Sequence, residues 1–172
     1  MAGPSGSITT NFYSPPDPFS MIIPTIRSLS LEDLRRTAAE IIPQDRRPSQ
    51  HLWDISDNVQ QLYVLRACLL VFILSLGRVV PRDFQLEATL SALGNKDVIV
   101  SSGTGSGKTL IMTMLMLLCP MDLSLVIVPL KRLQNAQLEA FMRYGIPSVV
   151  INEDTPNDSE LWKVNDRSLH LI

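Results

Sequence analysis

The sequence predicts an α/β fold: a parallel sheet with helices on both faces, incomplete, and preceded by a proline-rich leader and short helices. Three observations carry this. From Pro81 onward, short apolar runs alternate with helical segments, as right-handed strand–helix–strand crossovers require. A glycine-rich turn, Ser102–Gly107, sits between the first such run and a helix. Seven of the twelve prolines (Pro4, Pro15, Pro16, Pro18, Pro24, Pro43 and Pro48) fall in the first 48 residues, where they remove the donors that ladders and helices need.

Taken in order, Met1–Thr25 reads as an extended, mostly unstructured lead. A short helix is expected over residues 31–41. Ser30 is placed to cap it, Glu32 and Asp33 sit in its positive first turn, and Leu31, Leu34 and Ala38 share a face. Pro43 ends it, and Arg46-Arg47-Pro48-Ser49 reads as a linker, so residues 1–50 form the leader. Residues 51–79 form a helical segment around Leu62–Leu76, the most apolar stretch of the chain. That stretch is fifteen residues long and contains Arg66; a membrane span needs roughly twenty apolar residues, so a buried helix and no membrane partner are expected.

Beyond Pro81, Phe84–Leu93 reads as an amphipathic helix closed by Gly94-Asn95. Asp97–Ser101 is a β-branched run expected to be a strand buried on both faces. The helix after the glycine turn runs from Lys108 to Cys119 and stops at Pro120. Ser124–Val128 is a second expected strand, ended by Pro129. Leu130–Tyr144 is a helix with Leu133, Gln137, Leu138 and Phe141 at helical spacing and Gly145 beyond its end. Pro147–Ile151 is a third strand, Asp158–Val164 a short helix, and Ser168–Ile172 a fourth apolar run.

Hydrophobic residues make up 45% of the chain and charged residues 19%, the balance of a globular protein. With 15 Lys+Arg against 17 Asp+Glu, the net charge of −2 excludes a strongly basic, histone-like nucleic-acid binder. Cys68 and Cys119 stand alone in apolar surroundings, without metal-ligand spacing, as reduced thiols of an intracellular protein do.

The chemistry concentrates in Thr104-Gly-Ser-Gly-Lys-Thr109, between a strand and a helix. A triphosphate needs several donors to converge without crowding. Gly105 and Gly107 lack a Cβ, so backbone N–H groups can curl around phosphate oxygens while the helix behind points its positive end at the same place. Lys108 is then placed to reach the terminal phosphates, and the Thr109 hydroxyl to hold Mg²⁺. Ser102 stands where the general phosphate-loop pattern has glycine. ATP and Mg²⁺ are the expected cofactors, with Ser102, Gly103, Thr104, Gly105, Ser106, Gly107, Lys108 and Thr109 around the nucleotide.

Thr104–Thr109, preceded by a small residue, resembles the phosphate loop of superfamily-two helicases. Upstream, Arg82-Asp83-Phe84-Gln85 resembles the arginine-x-x-glutamine element of RecQ-like DNA helicases, and Gln85 precedes Lys108 by 23 residues, as in that family. Downstream, Pro129-Leu-Lys-Arg-Leu-Gln-Asn-Ala-Gln137 is similar to the family's motif Ia. The resemblance covers residues 80–172 and implies part of a RecA-like P-loop ATP-binding domain. It implies that Gln85 reads adenine with Arg82 beside it, and that Pro129, Lys131, Arg132 and Gln137 face a nucleic-acid backbone, DNA in this family. It also implies a nuclear location. Pro81 stands where the family usually has an aromatic residue. The family's Asp-Glu-x-His box is not present, and the expectation is of a chain that stops before it, binding ATP without efficient turnover.

Glu153 and Asp154 follow the third apolar run and read either as metal-side carboxylates or as a solvated acidic loop. Two further functional readings stay open: another P-loop nucleotide-binding protein, such as a switch or phosphotransferase, and a catalytically inactive truncated form.

Overall fold

The computed structural model describes the backbone of residues 17–155 and 170–171 and the side chains of 21–155. It contains seven α-helices among these residues: α1 Asp17–Ser28, α2 Leu31–Ile41, α3 Gln50–Asp54, α4 Asn58–Leu74, α5 Asp83–Leu93, α6 Lys108–Leu118 and α7 Lys131–Met142. Two short strands, β1 Ser148–Val149 and β2 His170–Leu171, pair in parallel.

Capping residues set the helix starts. The Ser30 hydroxyl accepts from the Asp33 amide at 3.1 Å to open α2. Asp57 and Gln60 form a reciprocal capping box at the start of α4, at 2.8 and 3.0 Å, satisfying two otherwise orphaned N–H groups. The apolar helix α4 is the central post. Leu69, Leu70 and Val71 lose all solvent exposure there, and α1, α2, α5 and α6 all pack on it. Each such fully buried side chain contributes about 1.5–3 kcal/mol of transfer free energy. Arg66 stays half-buried and donates to the Arg27 carbonyl at the end of α1. No helix among the described residues is long and apolar enough to cross a membrane.

Helix α1 differs from the extended lead expected over Met1–Thr25. Residues 17–28 are helical despite Pro24, because Ile26 is buried and Ile22 and Ile23 pack against the same core. Burial there outweighs the hydrogen bond that proline removes. Met1–Pro16 lies outside the described residues, as does the expected helix Asp158–Val164.

The sheet is where expectation and structure part most. The third and fourth expected strands do pair in parallel, but over only two residues each. Asp97–Ser101 forms no strand, and Ser124–Val128 makes a single bridge at Leu125. Ile99 is 97% exposed and Ile127 86%, so neither segment is buried on both faces. Val126 and Val128 rest against the core while Leu125 and Ile127 point outward, so one face of an extended chain is covered. A buried parallel strand needs a bonded neighbour on each side. Among the described residues these segments have no such ladder.

Candidate functional site: the glycine loop and the start of α7

The site is built on the junction of α5 and α6. Two left-handed residues, Gly105 at φ +80° and Gly107 at φ +86°, fold the chain from Ser102 into the first turn of α6. The Lys108 ammonium turns back over this loop and donates to the Ser102 carbonyl at 2.7 Å and the Gly103 carbonyl at 2.9 Å. The Ser102 and Ser106 hydroxyls share a hydrogen bond across the loop, so serine at position 102 is accommodated. Thr109 is half-buried in the first turn of α6, and its carbonyl accepts from the Thr113 hydroxyl.

These residues fit an anionic phosphate chain. A Cβ added at Gly103 or Gly105 would meet nothing within 4 Å, so the space beside the loop is open. Among the described residues, no hydrogen bond uses the N–H groups of Gly105, Gly107, Lys108 or Thr109. Four free donors, a helix N-terminus and an ammonium group converge there, a suitable environment for negative charge. No group of three or more His, Cys, Asp or Glu residues among the described residues forms a metal cluster.

Behind the loop stands Gln85. Its side chain is buried, 3% exposed, and every polar atom of it is engaged. The amide nitrogen donates to the Ser106 carbonyl at 3.2 Å and to the Gly107 carbonyl at 3.0 Å. The amide oxygen accepts from the Arg82 backbone N–H at 2.8 Å, closing the start of α5. Thr89 adds a hydroxyl bond to the Gln85 carbonyl at 2.8 Å. The approach is so close that a Cβ at Gly107 would lie 2.6 Å from Gln85 Nε2. The structure thus brings Arg82, Gln85 and the loop into one unit, with the Arg82 side chain exposed.

The second group of expected residues lies at the start of α7. Pro129, Lys131 and Arg132 are exposed there. Gln137 is half-buried instead, and its Oε1 is shut from solvent without a hydrogen-bond partner among the described residues. No hydrogen bond or ion pair among the described residues joins this group to the glycine loop.

Lys131 is not alone. Its ammonium lies 2.7 Å from Glu153 and 2.5 Å from Asp154, and the hydrogen bonds it donates to Asp154 first and Glu153 second hold its pKa above the usual lysine value. The two acids therefore pair with α7 in this structure. Gln134, one position from the expected Leu133, is buried on the same face of α7 as Phe141 and accepts from Asn152 Nδ2 at 3.1 Å. Neither Gln134 nor Asn152 stands out by residue type. Only an asparagine directly after an apolar run, a common turn-former, hints at it.

The DEAD/DEAH box helicase family model matches residues 82–171, more than half of the 172-residue chain. No curated protein matches the chain, and no solved structure does. The match opens at the arginine whose amide Gln85 accepts and takes in the glycine loop, α6, α7 and the parallel strand pair: the chain belongs to the DEAD/DEAH box helicase family.

Proposed function

We propose that the chain is the ATP-binding part of a RecQ-like DNA helicase, with Mg-ATP held at residues 102–109. Membership of the family supports a RecA-like P-loop fold, ATP with Mg²⁺ as cofactor and nucleic acid as the partner. The RecQ-like assignment, DNA as the nucleic acid and a nuclear location rest on Arg82–Gln85 and Pro129–Gln137. The observation that carries ATP binding is the loop itself: unbonded amides beside open space, under an ammonium that two loop carbonyls hold in place.

Within this reading, Ser102, Gly103, Thr104, Gly105, Ser106 and Gly107 cradle the phosphates, Lys108 neutralises their terminal charge, and Thr109 offers its hydroxyl to the metal. Bound Mg-ATP would supply the phosphoanhydride whose cleavage drives the family's strand separation. Gln85 supports the loop from behind. For its amide also to read adenine it must give up Ser106 and Gly107, which couples base recognition to loop geometry. Hydrolysis needs a carboxylate to orient the attacking water. In this structure Glu153 and Asp154, the acids after the third apolar run, are paired with Lys131.

Equilibrium binding of ATP and GTP to the wild type and to Gln85→Ala tests this. A preference for ATP in the wild type that disappears in the variant supports the reading. Equal affinity for both nucleotides in the wild type points instead to a P-loop protein of another kind, such as a switch or phosphotransferase.

A further inference from the structure

We propose that the acidic turn at residues 152–155 is a built-in competitor for nucleic-acid phosphate at the start of α7. The proposal rests on the reading of Lys131 and Arg132 as phosphate contacts. The turn is held by more than charge. Asn152 Nδ2 donates to the buried Gln134 side chain at 3.1 Å, which docks the turn against the inward face of α7. Local bonds then fix its shape: the Thr155 hydroxyl accepts from the Asn152 amide at 2.8 Å, the Asn152 carbonyl from the Thr155 amide at 2.9 Å, and Asn152 Oδ1 from the Asp154 amide at 3.0 Å. This geometry aims two carboxylates at one ammonium group.

Carboxylate and phosphate oxygens are the same kind of acceptor for an ammonium group. The Lys131 ammonium is directed at both carboxylates, and the first turn of α7 has no side-chain cap. A phosphate arriving at α7 must therefore displace Glu153 and Asp154 from Lys131. Arg132, exposed and with no ion pair among the described residues, remains available for first contact. The turn sets a threshold: weakly held nucleic acid is refused Lys131, and strongly held nucleic acid recruits it and frees the acids.

The experiment is an anisotropy titration of a fluorescein-labelled single-stranded oligothymidylate against the full chain. Glu153→Gln/Asp154→Asn changes two side chains that are 79% and 74% exposed, so folding is unaffected, as circular dichroism would verify. Because exposed pairs are weak, this double variant is expected to bind about three- to fivefold more tightly than wild type. The gain should vanish when Lys131→Ala is added. An unchanged affinity, or an equal gain with Lys131→Ala present, overturns the proposal, the latter because it marks a general charge effect. Adding Lys131→Ala and Arg132→Ala to the neutralised variant separates the underlying reading. No loss of binding there removes α7 as a phosphate contact and the competitor with it. A clear loss, without the original gain, removes the competitor alone.

Discussion

At Gly107 two demands meet in one residue. Its φ of +86° belongs to the left-handed region, and the Gln85 amide lies where a side chain would begin. Gln85 cannot swing aside freely, since it is buried and bonded to Arg82, Ser106 and Gly107. Gly107→Ala should therefore cost about 1–3 kcal/mol of stability through backbone strain and lower Mg-ATP affinity at least about tenfold by tilting the loop amides. Chemical denaturation and nucleotide titration would measure the two effects, and an alanine variant with wild-type values for both would contradict this account. The sequence singled out Gly107, Lys108 and Gln85, and the structure places the three side by side. The bond between Gln85 and the loop was not legible, because it joins residues more than twenty positions apart and depends on how α5 packs against α6.

Local chemistry made most helices readable. Ser30 caps α2 as its position before Glu32 and Asp33 suggested, and the apolar run around Leu62–Leu76 became α4. Ser30→Ala should cost about 1 kcal/mol, a fall in melting temperature of roughly 2–4 °C for a chain of this size. A thermal scan that shows no shift would contradict the capping role. The same hydroxyl, followed by Arg36, holds the Asp33 pKa below its usual 3.8. That contribution is present above pH 3.8 and is lost as pH falls through the lowered folded value, so the Ser30→Ala deficit should shrink in strong acid. One helix was misread, and one position of another. Helix α1 forms although prolines suggested extended chain, because burial of Ile26 is a tertiary effect that composition does not reveal. On α7 the expected face holds at Phe141, which is fully buried, and at Leu138, which packs on the core, but its first position turns outward: Leu133 is 49% exposed and Gln134 is buried instead, a buried amide paired with Asn152 that hydrophobic spacing could not foresee.

At the scale of the molecule, helices that rely on near neighbours in sequence are formed, whereas among the described residues the sheet that relies on distant ones is one short parallel pair. Parallel ladders join segments far apart in the chain, so β-branched runs such as Asp97–Ser101 announce an extended backbone without specifying its partner. The glycine loop keeps its form because it leans on α5 and α6, both packed against α4, rather than on a complete sheet. The central claim, that this loop binds Mg-ATP, is tested most directly by isothermal titration calorimetry of the chain and of Lys108→Ala. Saturable heat with Mg-ATP in the wild type, lost or greatly reduced in a Lys108→Ala protein of unchanged circular dichroism, is the predicted result. A folded wild-type chain that gives no heat with Mg-ATP at millimolar concentration, or an alanine variant that binds equally well, would contradict it.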